Sequence, residues 1–197
     1  MPRIRTVPPE AATGQLAEAY EGLRETMGSP ITPLVIQLSS VRPDITSALS
    51  QLYRALFSGG ELPRMAKEAI STYVAALNNC PYCVGAHTVL MQLHGATPEQ
   101  VEAAQTGDVG AFTDDEETAR FLPLAEKITR HAYKVTDDDV QALRDNGWSD
   151  EKILEAIGVV VFFNMINRLA DTLGIADADF QGELARAMEV LAAPATP

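Results

Sequence analysis

Glu68 to His87 reads EAISTYVAALNNCPYCVGAH, and this stretch holds both cysteines of the chain, one of its three histidines and a carboxylate in an otherwise apolar run. The Asn78-Asn79-Cys80-Pro81 punctuation divides it. A helix carrying Glu68 is expected to end near Asn78, and a second to begin with Pro81 at its first position, where the missing N–H costs nothing. Cys80 then stands at or next to the N-cap, Cys83 follows three residues on and His87 four further. These spacings stack the three side chains turn above turn on one helical face.

A pair of thiols three residues apart near a helix start can reach disulfide geometry, and the unpaired N–H groups and helix dipole there favour a thiolate. Glu68 lies twelve residues before Cys80. On one unbroken helix it would sit about 120° away from the cysteine at roughly 100° per residue. The break lets the two helices fold back side by side instead, so that a buried Glu68 meets His87 and influences its proton.

Other readings of these residues stand beside this one. Two cysteines can simply be buried small hydrophobes. Cys80, Cys83 and His87 are also three acceptable zinc ligands, with His94 the best-placed fourth, although no second CxxC or histidine pair completes a structural-zinc spacing. Glu68 can be an ordinary solvated residue of an amphipathic helix. Tyr82 can be a packing residue or can border the site with its hydroxyl.

Glu68, the twelve-residue step to Cys80 and the run Cys80-Pro-Tyr-Cys83-Val-Gly-Ala-His87 resemble the alkylhydroperoxidase AhpD branch of the carboxymuconolactone decarboxylase superfamily, and the length is similar to that of its peroxidase-related members. The resemblance implies a single AhpD-like all-α domain over residues 1–197 and a homo-oligomer (dimer, trimer or hexamer). It further implies a cofactor-free peroxidase with a hydroperoxide substrate and an external dithiol or redox-protein reductant. In that scheme Cys83 attacks the peroxide, Cys80 resolves it as a disulfide, and His87 with Glu68 forms a proton relay, with no metal. AhpD itself has a histidine just before its second cysteine, where this chain has Tyr82. The superfamily also contains decarboxylases, whose chemistry needs no cysteine pair.

Composition narrows the partners. Of 197 residues 46% are hydrophobic, enough for a packed core. Fifteen basic against twenty-seven acidic side chains give a net charge of −12, which repels nucleic acid and anionic membranes. The N-terminus shows no apolar leader, and the longest apolar run, Ile157 to Phe163, is too short to span a bilayer, so a cytoplasmic protein is expected. A CxxC pair there fits a cycling redox site or a metal site better than a permanent disulfide.

Beyond the central stretch the reading is helix after helix, with no period-two alternation. A proline-rich arm covers about 1–12. Helices follow from about Thr13 to Gly28 and from about Asp44 to Phe57, the second with Ile45, Leu49, Leu52 and Leu56 on one face. Thr97 and Thr113 each open a capping box, Gly110 helps to stop the short helix between them, and Pro123 should kink the longer one that follows. Another helix starts near Thr136, Ser149 caps a long one through Leu173, and a last covers 178–191 before a frayed tail at 192–197. Glu68-Ala-Ile70 recurs as Glu155-Ala-Ile157, a faint internal echo whose second copy carries Asn167, Ala170 and Gly174 where the first has Cys80, Cys83 and His87.

Overall fold

The structure, a computed structural model, describes residues 1–29, 31–108, 116–175 and 177–185. The stop at Gly110, the capping box opening at Thr113, residues 186–191 of the last expected helix and the 192–197 tail lie outside the described residues. Among those described, the secondary structure is entirely helical, as expected. The main elements are α1 (Gly14–Met27), α2 (Leu34–Gln37), α3 (Pro43–Phe57), α4 (Arg64–Leu77), α5 (Pro81–Leu93), α6 (Pro98–Thr106), α7 (Glu116–His131), α8 (Asp137–Asp145) and α9 (Asp150–Thr172). A further helical stretch runs over 180–185.

Local chemistry sets most of these boundaries. Thr97 and Gln100 form the expected capping box, with Gln100 N donating to the Thr97 hydroxyl and Gln100 Oε1 accepting from Thr97 N. Ser149 accepts from Lys152 N at the start of α9. The Asp137–Asp139 cluster lies in the first turn of α8, where carboxylates meet the positive end of the helix dipole. Helix α7 runs through Pro123. Trp148, buried before α9, stacks on Phe121 with ring centroids 5.6 Å apart and lies under the Lys152 ammonium.

Helix α4 is the hub, packing against α5, α6, α7 and α9. Ten consecutive residues of it, Ala66 to Ala75, are buried, including Lys67, Glu68, Ser71 and Thr72. Its burial on all sides explains why its polar residues matter, because each must find a partner away from water. Lys67 finds three: its ammonium donates to Leu56 O at 2.7 Å and to Gly59 O, and it pairs with Glu155. Glu155 Oε2 in turn accepts from Glu61 N at 2.8 Å and Leu62 N at 3.1 Å. The glutamate of the internal echo is therefore a clamp on the turn before α4.

Two findings depart from the sequence reading. Helix α3 buries Thr46, Ser50, Tyr53 and Phe57, while Ile45 and Leu52 of its apolar stripe are more than two-fifths exposed. Helix α9 is, by length and composition, apolar enough to cross a membrane as a whole helix; half of its most apolar stretch is buried against the rest of the fold. The N-terminal arm is tied down: Arg3 N donates to Leu173 O, Val7 N to the Ser40 hydroxyl, and the Tyr20 hydroxyl to Val7 O.

Candidate active site

The break between α4 and α5 builds the site. Asn78 is the C-cap of α4, Asn79 adopts the left-handed conformation at φ 54°, and Cys80 N reaches back to Ala75 O while Asn79 N reaches Ala76 O. This is a Schellman closure with asparagine in the position that usually demands glycine. Pro81 then starts α5 at its first position with Cys80 as N-cap, as the spacing predicts. The reversal lays α5 along α4, and four of the candidate residues meet.

Glu68 is completely buried and is gripped from both sides. Its Oε2 lies 2.7 Å from His87 Nδ1, and its Oε1 accepts from Arg64 Nε at 2.6 Å. With Glu68 ionised, Nδ1 of His87 carries the ring proton and Nε2 keeps its lone pair. The imidazole is further fixed by an edge contact with Phe163, ring centroids 4.3 Å apart. Arg64 was missed by the sequence reading, although its i, i+4 spacing to Glu68 on one helix is a legible signal. It is anchored in turn by Thr26 O and the Tyr53 hydroxyl, with its guanidinium 4.8 Å from the Phe57 ring centroid. No sequence pattern reveals Tyr53 itself, which comes from α3.

Both cysteines are reduced and buried, their sulfurs 2.6 Å apart. The expectation that the helix start favours a thiolate at Cys80 is corrected here. Cys80 is fully buried, and the hydrogen bond with Cys83, together with burial, pushes its thiol well above the ordinary range. The Cys83 hydrogen bond, and then desolvation by Ala75, Ala170 and the other apolar neighbours packed at this turn, hold the proton on the sulfur. Cys83 is the sulfur that opens onto a cavity.

That cavity, about 570 Å³ counting its open mouth, is walled by apolar groups including Val35, Ile36, Leu90, Phe162, Phe163 and Phe180, and Cys83 and His87 lie side by side on it. Tyr82, also on its wall, is buried: its O–H donates to Glu183 at 2.7 Å and its oxygen accepts from Leu34 N. Burial foremost, and then Glu183, push its phenol far up, so it stays protonated and ties α5 to the 180–185 segment. His94 stands exposed at the C-cap of α5, and among the described residues no group of three or more His, Cys, Asp or Glu side chains is disposed to hold a metal ion.

A thiol pair at a helix start, a histidine one turn on, and a carboxylate behind it from the preceding helix are thus brought together in an all-helical fold. Residues 43–126, which contain all of these groups, match the carboxymuconolactone decarboxylase family. A 94-residue stretch, 48% of the chain, is 37% identical to a Mycobacterium tuberculosis protein named alkyl hydroperoxide reductase, of whose length it spans only 27%. A solved structure described as an alkylhydroperoxidase AhpD core, from a peroxidase-related protein of Ralstonia eutropha JMP134, superposes with a TM-score of 0.76 at 24% identity, over 88% of this chain and 90% of that one. The debrominase Bmp8 superposes with a TM-score of 0.72 at 18% identity, over 93% and 95% of the two chains. At these identities the likeness to the solved structures speaks for the fold alone. The family match covers residues 43–126, less than half of the chain, and the fold is that of the AhpD-like helical structures.

Proposed function

We propose that the protein is a thiol-dependent peroxidase that reduces hydroperoxides at Cys83. The observation that carries this reading is the single apolar cavity wall on which Cys83 and His87 stand one helical turn apart, with Glu68 behind the imidazole. His87 Nε2 takes the Cys83 proton, the thiolate attacks the terminal oxygen of the hydroperoxide, and the O–O bond breaks. The alkoxide leaves with the proton held by His87, so an alcohol departs and Cys83 becomes a sulfenic acid. Cys80, within bonding reach, displaces that oxygen as water and closes a disulfide. An external dithiol reduces it, attacking Cys83 through the cavity, since Cys80 is sealed. The reading requires no cofactor. It is supported by the match of residues 43–126 to the carboxymuconolactone decarboxylase family and by the name of the mycobacterial relative. We also propose a homo-oligomer, on the exposed apolar residues of α3 and α9 taken up below.

Treating each cysteine variant with one equivalent of a small hydroperoxide and a dimedone-type probe tests the roles by mass spectrometry. The wild type is expected to lose two thiols per peroxide. Cys80→Ser should carry the probe on Cys83, and Cys83→Ser should stay unlabelled. Labelling of Cys80 in Cys83→Ser, with none on Cys83 in its counterpart, reverses the roles; retention of both thiols with every hydroperoxide tried sinks the peroxidase reading.

A further inference from the structure

We propose that Arg64 is a positioning residue that keeps the pair of Glu68 and His87 one proton short, so that His87 Nε2 stays free to take the proton of Cys83. The proposal rests on the peroxidase reading and deepens it. Arg64 opens α4 one turn before Glu68, and its side chain is mostly buried. Each of its nitrogens is committed. Nε donates to Glu68 Oε1 at 2.6 Å, one terminal nitrogen to Thr26 O at 2.9 Å and the other to the Tyr53 hydroxyl at 3.0 Å. Helices α1 and α3 thus hold a planar fork that cannot give up its own charge.

The two oxygens of Glu68 serve different partners. Oε1 faces the guanidinium, which only donates, and Oε2 lies 2.7 Å from His87 Nδ1, so a single hydrogen occupies that second bond. A further proton on the pair ends as a hydrogen on Nε2. It binds there directly, giving an imidazolium beside the carboxylate, or a protonated Glu68 donates to Nδ1 and the ring carries its own hydrogen on Nε2. In both states the lone pair that Cys83 needs is gone.

The charge of Arg64 keeps that second proton away. A buried carboxylate without a counter-charge takes up a proton rather than stay ionised away from water. Among the described residues no other cation replaces the guanidinium. Lys67, next to Glu68 in sequence, turns to Leu56 O, Gly59 O and Glu155. Helix α3 brings Tyr53, whose phenol is pushed far up by burial foremost and then by Glu68, so it stays neutral. Helix α5 brings Cys83, beside His87 on the cavity wall, and α9 brings the Phe163 ring. Arg64 itself makes and breaks no bond: the proton of Cys83 moves to Nε2 and departs with the alkoxide.

The test reads the imidazole by nitrogen NMR of reduced protein carrying isotope-labelled histidine. Of the three histidines, His94 and His131 are exposed, and His87→Gln identifies the buried ring. At neutral pH wild-type Nε2 should give the signal of a bare ring nitrogen, and Arg64→Met that of a nitrogen bonded to hydrogen. Arg64→Lys, which keeps the charge, should stay with the wild type. A bare Nε2 in Arg64→Met, or a hydrogen on Nε2 in the wild type or in Arg64→Lys, overturns the proposal. Should Arg64→Met not fold, Arg64→Gln, which keeps a donor for Glu68 without the charge, takes its place with the same expectation. The second readout is the rate of Cys83 oxidation by tert-butyl hydroperoxide. It should fall roughly a hundredfold in the variant at neutral pH, the lower end of general-base effects, and recover as pH rises and the extra proton leaves. Equal slowing at every pH would mean that the arginine only braces the fold, and overturns the proposal. If neither protein reacts with peroxide, the peroxidase reading falls, and the nitrogen signals alone decide whether Arg64 sets the proton count.

Discussion

Glu68 is a single buried carboxylate that serves two partners at once. It neutralises Arg64 on one oxygen and orients His87 on the other, with no access to water. Glu68→Gln therefore leaves a guanidinium without its counter-charge in a partly buried place. We expect a loss of about 3–5 kcal/mol, as for other broken buried pairs, read from urea unfolding. Thiol oxidation should slow by roughly a hundredfold or more, read from free-thiol loss. Asp171 behaves in the opposite sense. Burial raises its carboxyl, so the folded protein holds that proton more tightly than the unfolded chain does. The stability that this proton contributes is fully present below the ordinary aspartate range and is lost as pH rises through the raised value. Asp171→Asn should thus melt higher than wild type at neutral pH, with the lead vanishing as pH falls below the ordinary aspartate range. A constant difference at all pH values, by thermal scan, would show that the carboxyl does not titrate differently in the fold.

At the scale of elements, the reversal from α4 to α5 decides whether the four side chains meet. It depends on Asn79 holding φ 54°, a conformation that costs a β-carbon-bearing residue without a local side-chain hydrogen bond roughly 1–2 kcal/mol. Asn79→Ala should lose about 1 kcal/mol and Asn79→Gly should match or exceed wild type, measured by chemical denaturation. If alanine proves harmless, the turn tolerates strain that the geometry says it should not. The pairing of α4 with α9 carries a different lesson. Glu155 repeats the Glu-Ala-Ile of the site, yet it braces Lys67 and the turn before α4, so sequence likeness between the two segments does not extend to their environments.

For the whole molecule, apolar side chains left outside are informative. Ile45 and Leu52 of α3 and Leu154, Val161 and Met165 of α9 are exposed, and the two helices touch where Leu56 packs over Gly158. A net charge of −12 keeps single chains apart, so a patch of this kind on an acidic protein fits a second copy better than chance exposure. Replacing Leu52 and Val161 by lysine should shift the sedimentation of a micromolar solution toward the monomer. An unchanged value, or a monomeric wild type, would remove this face as the contact.

Residue types and spacing determined a good part of the protein. Helix boundaries at Thr97, Thr136 and Ser149, the helix break at Asn78 to Pro81, and the alignment of Cys80, Cys83 and His87 are local consequences of capping chemistry and the 3.6-residue period, legible because neighbours in sequence set them. Arg64 was legible too, one turn before Glu68. What only the tertiary structure decided depends on burial from other segments. The seal over Cys80 comes from α9, the second face of the Arg64 clamp from Tyr53 and Thr26, the cavity wall from α2, α9 and Phe180, and the outward place of Ile45 and Leu52 from Ser50 taking the inner one, where its hydroxyl donates to Ala19 O. Periodicity tells which residues share a face of a helix. Which face meets water, and which sulfur opens onto the cavity, is settled by what packs against it from far along the chain.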